Sequence, residues 1–176
     1  MTHQMTDETY MQLALQEAKK AAAIGEVPIG AVIVRKGVVI ASAHNQREIG
    51  KDATAHAELI AIQKACQEAG GWRLTDTTLY VTIEPCPMCA GAILQSRIDR
   101  VVIGAMDPKA GAAGSLINIL QDNRFNHQVQ LTIGVLEEAC SKAIKVFFQK
   151  LREKRRRKKE TTPINKKIPK DFLKKS

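Results

Sequence analysis

Residues 78–95 read TLYVTIEPCPMCAGAILQ. The first six are β-branched, aromatic or aliphatic, which predicts a strand over 78–83. Two prolines then break the run, and Pro87 suits the first turn of a helix, so Pro87–Gln95 is predicted helical. A strand feeding straight into a helix is half of a βα unit, and working outward extends the alternation. Arg100–Ala105 is another apolar run, 107–115 a Gly/Ala loop and 131–135 a last strand. Glu137 opens a final helix in which Leu136, Cys140, Ile144, Phe147 and Leu151 recur at spacings of four and three. Its acidic start and basic end both suit the helix dipole.

Upstream, Ala55, Leu59, Ile62, Cys66 and Ala69 predict an amphipathic helix closed by Gly70-Gly71. Residues 30–34 and 38–41 are apolar runs split by Lys36-Gly37, which predicts a hairpin, and their continuous apolarity implies cover on both faces. A polar loop is expected over 44–52. Residues 7–24 predict a first helix with Leu13, Leu15, Ala18, Ala22 and Ile24 as its apolar stripe, ended by Gly25 and Pro28. The expected fold is therefore α/β: a three-layer α/β/α domain with a central sheet flanked by helices.

At 176 residues the chain fits one domain with a tail. Its formal charge of +9 is unevenly spread. From Cys140 onward there are 15 Lys/Arg against three Asp/Glu, whereas residues 1–139 hold 12 against 15. A mildly acidic body thus carries a C-terminal stretch of +12, which suits a polyanion such as nucleic acid; a solvated cationic tail is the plain alternative. Pro163 and Pro169 forbid helix beyond about residue 160, so a catalytic domain over 1–158 and a basic, disordered tail over 159–176 are expected. No apolar run approaches the roughly 20 residues of a membrane span. Residues 1–10 have no charged and apolar leader pattern, which points to the cytoplasm.

The chemistry resides in His56-Ala57-Glu58, opening one helix, and Pro85-Cys86-Pro87-Met88-Cys89, opening the next. Cys86 and Cys89 are three apart and share a face. A helix N-terminus favours the thiolate, the form that binds metal. With the His56 imidazole they form a donor set suited to Zn²⁺. A structural zinc takes four protein ligands and a catalytic zinc three. Cys66 and Cys140 lie on apolar stripes and read as core cysteines, while His44 and His127 are isolated loop histidines, so an open three-ligand site is expected. Glu58, two residues from His56, is poorly spaced to share its metal but can carry a proton beside it; alone it would read as a solvent-facing residue favoured near a helix N-terminus.

The conjunction of His-x-Glu on one helix and Pro-Cys-x-x-Cys on the next resembles the zinc-dependent cytidine/deoxycytidylate deaminase superfamily. Within it the chain is similar to the bacterial tRNA-specific adenosine deaminases. The likeness rests on residues 25–32 (GEVPIGAV), Asn45, His56-Ala57-Glu58, residues 82–92 (TIEPCPMCAGA), residues 104–109 (GAMDPK) and Gly114-Ser115-Leu116.

That resemblance implies a mixed central sheet, one Zn²⁺ per subunit held by His56, Cys86 and Cys89, and Glu58 as the catalytic proton carrier. It implies hydrolytic deamination of adenosine to inosine at the wobble position of a tRNA anticodon stem-loop, by a cytoplasmic homodimer. Asn45 would hydrogen-bond the flipped base, Val27 and Ile83 would wall its pocket, and Asp107 would lie near the flanking ribose. Phe148 and Arg152 would belong to an aromatic and cationic surface for loop nucleotides. A deaminase of a free base or nucleotide (cytosine, guanine or deoxycytidylate) uses the same zinc chemistry, but such a substrate requires no polyanion surface. A zinc-stabilised RNA-binding module would need neither Glu58 nor an open metal position.

Overall fold

The computed structural model describes residues 5–161, with the side chains described to residue 159. Of the tail expected to be disordered over 159–176, residues 159–161 continue the last helix, and 162–176 lie outside the described residues.

Helices and strands follow the order α1 (Asp7–Ala23), β1 (Gly30–Arg35), β2 (Val38–His44), α2 (Arg47–Gly50), α3 (Ala57–Ala69), β3 (Thr77–Ile83), α4 (Pro87–Gln95), β4 (Arg100–Ala105), β5 (Gln130–Ile133) and α5 (Glu137–Thr161). The strands form one sheet in the order β2-β1-β3-β4-β5. Pairing is antiparallel across β2/β1/β3 and parallel across β3/β4/β5, so the sheet is mixed as expected. The hairpin turns at Lys36 and Gly37, both with positive φ (50° and 80°), as a two-residue turn matched to strand twist requires.

Alternation along the strands separates two cores. Ala31 and Ile33, Leu79 and Val81, and Val101 and Ile103 pack with α3 and α4. Val32 and Val34, Tyr80 and Val102 face the other way, against Tyr10, Met11 and Ala14 of α1 and Cys140 of α5. The three-layer arrangement follows from this period of two.

Several expectations need correction. β2 is an edge strand, and Val38 and Val39 are exposed, so its apolarity does not mean cover on both faces. The 44–52 segment contains the short helix α2, and β2 itself runs on to His44. On α1 the buried stripe is Met11, Ala14, Ala18 and Ala21, while Leu13 and Leu15 lie at its flanks and Ala22 and Ile24 are exposed. The reason is close approach: a Cβ on Gly30 would strike the backbone of Ala14 and Ala18, so only a small-residue face lets α1 lie on β1. On α3 the buried residues are Ala57, Glu58, Ala61, Ile62 and Ala65, and Cys66 is half-buried with its thiol donating to the Trp72 carbonyl at 3.6 Å. On α5 only Cys140 is fully buried; Ile144, Phe147 and Leu151 are half-buried.

The sheet's opposite end is tied to α1 by charge. Arg100 donates through Nη1 and Nη2 to the two Asp7 carboxylate oxygens at 2.9 and 2.6 Å, and the Tyr80 hydroxyl donates to Asp7 at 2.9 Å. Arg100, against the opposing effect of partial burial, holds the Asp7 carboxyl below its ordinary value of 3.8. Stability from Asp7 is therefore complete above that ordinary value and lost as pH falls through the depressed one. Asp7→Asn is expected to cost about 1–2 kcal/mol at neutral pH. Urea unfolding at several pH values should show wild type and variant converging below about pH 3; a pH-independent gap would contradict the ion-pair origin.

Candidate metal and active site

One edge of the sheet collects every element that carries site chemistry. β1 begins there while β2, β3 and β4 end there, with Gly30 opposite His44 and Ile83 opposite Ala105. The segments 26–29, 45–56, 84–86 and 106–118 therefore meet at the carboxyl ends of the parallel pair, where open α/β sheets take their ligands.

His56 caps α3 and Cys86 caps α4, both in extended conformation and neither bonding its own helix through the side chain. Each stands one residue ahead of its helix, which leaves its side chain free to point across the gap between helices. Cys89 follows in the first turn of α4 and is fully buried. His56 Nδ1 lies 3.6 Å from Cys86 Sγ and 3.5 Å from Cys89 Sγ, and the three ligand atoms are within 4.8 Å of one another. Among the described residues this is the one grouping of three or more His, Cys, Asp or Glu side chains able to hold a metal.

Cys140 and Cys66 are elsewhere, in the cores. His44 does not stand alone in a loop: it ends β2 and its Nδ1 is 2.8 Å from Glu17 Oε2. His127 Nε2 is 2.7 Å from the Ile98 carbonyl oxygen.

Glu58 faces inward and is only 3% exposed, which rejects the solvent-facing reading. Its Oε2 is buried without a hydrogen-bond partner. Burial pushes its carboxyl up to about 7, with the Cys86 charge adding to the rise and His56 opposing it. The Cys86 thiol is pushed down to about 4 because its thiolate accepts from the Cys89 thiol and from His56, against the effect of burial. Cys89, the donor in that pair and buried, moves up. His56 moves up through its bond to Cys86, against burial and with help from Glu58. Two sulfurs, one imidazole and a partnerless carboxylate oxygen beside them fit a divalent cation with a thiolate preference and an adjacent water.

Asn45 is buried, and its Oδ1 accepts from Ala57 N at 3.0 Å, satisfying a backbone donor at the start of α3. Val27 and Ile83 are half-buried, and the Ile29 carbonyl, two residues on from Val27, accepts from Asn45 N at 3.2 Å. Asp107 is half-buried, and its Oδ1 accepts from Lys109 N and Ala110 N. Phe148 is 38% exposed and meets Phe147 edge-on, with centroids 5.5 Å apart. Arg152 is exposed three residues before Arg155. Both Phe148 and Arg152 belong to α5, which lies on the α1 face of the sheet; the other site residues cluster at its edge.

Two residues escaped the reading of the sequence. Glu26 is 1% exposed and its Oε1 accepts from Ile49 N at 2.8 Å, tying α2 beside Asn45. Glu84 is buried between β3 and Cys86. The available signal was weak: a glutamate directly after an apolar strand and directly before Pro-Cys.

The family model of MafB19-like deaminases matches residues 5–152. A tRNA-specific adenosine deaminase of Bacillus subtilis (strain 168) is 55% identical over 150 residues, 85% of this chain and 93% of that protein. One from Streptococcus pyogenes serotype M18 is 47% identical over 157 residues, 89% of this chain and 99% of the other. A solved structure from work on A-to-I editing by tRNA:A34 deaminases at the wobble position of transfer RNA superposes with a TM-score of 0.74 at 43% identity, covering 77% of this chain and 98% of that one.

The donor set predicts about one zinc ion per purified chain, falling to a small fraction of that when Cys86 or Cys89 is replaced by Ser, because a three-ligand site tolerates no missing thiolate. Cys66→Ser should leave the zinc content unchanged. Elemental analysis of dialysed protein checks both.

Proposed function

Since the chain belongs to the MafB19-like deaminases and, at these identities, to the tRNA-specific adenosine deaminases, we propose that it hydrolytically deaminates adenosine to inosine at the wobble position of a tRNA anticodon. The observation that carries this is the three-donor set of His56, Cys86 and Cys89 with the partnerless Glu58 oxygen beside it.

In this reading His56, Cys86 and Cys89 hold Zn²⁺, which when bound acts as a Lewis acid and makes a water molecule nucleophilic near neutral pH. Glu58 would take one proton from the attacking water and give it to the purine ring nitrogen next to C6 as the oxygen bonds to C6. It would then take the second proton from the new C6 hydroxyl and give it to the amine, so that the C6–N bond breaks, C6=O forms and ammonia leaves. Its burial suits the task, because a carboxyl raised towards neutrality can both accept and release a proton. Asn45 spends its oxygen on Ala57, which leaves its amide –NH₂ as the group that donates to the base. Val27 and Ile83 give apolar walls for the ring, and Asp107 stands where a flanking nucleotide passes. A base in a loop is already partly unstacked and costs less to extrude than one in a duplex.

The acidic body and basic C-terminal helix favour a large polyanionic substrate over a free base. Phe148 offers a ring for stacking, and residues 152–159 add seven Lys/Arg against one Glu. The domain proposed for catalysis spans 1–158, with 159–176 as its basic tail. The reaction belongs to the cytoplasm, and a homodimer is proposed; light scattering on the purified chain tests the latter. No helix among the described residues is long and apolar enough to cross a membrane.

Purified zinc-loaded protein should form inosine on an anticodon stem-loop with adenosine at the wobble position, and none from free adenosine, cytidine, deoxycytidylate or guanine. Turnover of a free base or nucleotide with the stem-loop untouched would retain the zinc chemistry and overturn the substrate. Glu58→Ala should keep its zinc and its fold while losing at least about 100-fold in kcat, the scale of a general acid–base contribution. Removing residues 152–176 should weaken stem-loop binding and flatten its salt dependence, since each phosphate contact contributes about 0.7–0.9 to the slope of log affinity against log salt. An unchanged slope would remove the helix end from the RNA surface.

A further inference from the structure

Glu84 is 3% exposed, yet four hydrogen bonds converge on its carboxylate, all from the loop that follows β4. Oε1 accepts from Ala113 N and Ser115 N, both at 3.0 Å. Oε2 accepts from Asp107 N at 2.8 Å and from the Ser115 hydroxyl. Gly111 lies flat against the group, where a Cβ would strike Oε2 and the Asp107 carbonyl. The neighbouring Pro85 carbonyl accepts from Ala112 N at 2.8 Å, and Pro85 leads directly into Cys86. Residues 110–114 are Ala-Gly-Ala-Ala-Gly and have no side chain able to anchor the loop. Its shape is therefore set by capture of its backbone N–H groups.

We propose that Glu84 is a positioning residue for the RNA substrate: its carboxylate moulds the 107–115 loop and holds Asp107 in register with Cys86, so that the nucleotide beside the target adenosine is read from a fixed distance to the metal site. The inference rests on the tRNA-deaminase reading and adds the residue that couples metal turn to substrate loop. Glutamine has the same shape but replaces an accepting oxygen by an –NH₂ facing N–H donors, so Glu84→Gln forfeits about half of the four bonds.

The full chain is compared with Glu84→Gln, Ser115→Ala, Asp107→Ala and the Glu84→Gln/Asp107→Ala pair. Zinc content should stay near one per chain. Amide exchange at residues 107–115 should accelerate by about 10-fold or more in Glu84→Gln and by less in Ser115→Ala, with β3 and β4 unchanged. KM for the stem-loop should rise by about 10-fold with kcat within about 3-fold. On the Asp107→Ala background, Glu84→Gln should raise KM by less than about 3-fold, because residues acting through one contact are not additive. Unchanged exchange in the loop, a fall in kcat at constant KM, or multiplicative KM effects would each overturn the proposal. If wild type makes no inosine, the functional reading fails, while loop exchange still decides whether Glu84 moulds the loop. If Glu84→Gln loses protection throughout the sheet, Ser115→Ala decides in its place.

Discussion

Keeping a carboxyl group out of water beside two sulfurs is the constraint on which the site depends. An ionised carboxylate buried without compensation costs several kcal/mol, and Glu58 has one oxygen with no partner. Two features of the fold offset that cost in part. The N-terminus of α3 places its positive dipole end at Glu58, and the N-terminus of α4 does the same for Cys86 and Cys89. Ala57, Ala61 and Ala65 make α3 narrow enough to bring that end against the sheet and against α4. What remains is an excess of electron-pair donors over positive charge, which a divalent cation held by His56, Cys86 and Cys89 would offset.

The topology explains why substrate contacts can surround this point. An antiparallel hairpin followed by a strand antiparallel to its first arm brings the start of β1 to the same edge as the ends of β2 and β3. The parallel crossover through α4 then adds the end of β4. Four loops from distant parts of the chain thus converge. They bring to that end of the sheet Val27 and Ile29, Asn45 and His56, Cys86 and Cys89, and Asp107, whose Oδ1 accepts from Lys109 N and Ala110 N. In the proposed reading α5, which packs on the α1 face of the sheet, would meet the phosphates of the substrate through its cationic end.

Much of this was legible in the residues. The strand and helix over 78–95 needed no tertiary information, since β-branched runs and proline act locally, and α4 has the bounds read from its sequence. The grouping of His56, Cys86 and Cys89 was legible as a candidate metal site because their residue types and spacing at two helix starts suit one, and their ligand atoms lie within 4.8 Å of one another. What failed were choices of face. Leu13, Leu15 and Ile24 outrank Ala14 and Ala21 in hydrophobicity, yet the alanines are buried because Gly30 requires a helix that approaches closely. In the same way Ala57 and Ala65 are buried, while Cys66 is half-buried and Ala69 exposed. Val38 and Val39 read as covered, but being on an edge strand is a property of the whole sheet that no local pattern reveals.

Glutamate was the hardest residue to read, and it sorts most informatively once the structure is known. Four are buried: Glu17, Glu26, Glu58 and Glu84. By residue type all four are charges expected at the surface, and the sequence singled out Glu58 alone, by its place two residues from His56. Glu17 is matched by Lys20 and His44, and Glu26 by a backbone N–H of α2. Glu84 is saturated by four donors. A carboxylate so bound is held in one protonation state and one place, which makes it scaffold. Glu58 has equal burial but an oxygen left over, so its charge is poorly supported and its proton is exchangeable near neutrality. Burial therefore does not separate Glu58 from the other three; a buried carboxylate oxygen without a hydrogen-bond partner does, and among the described glutamates Glu58 alone has one.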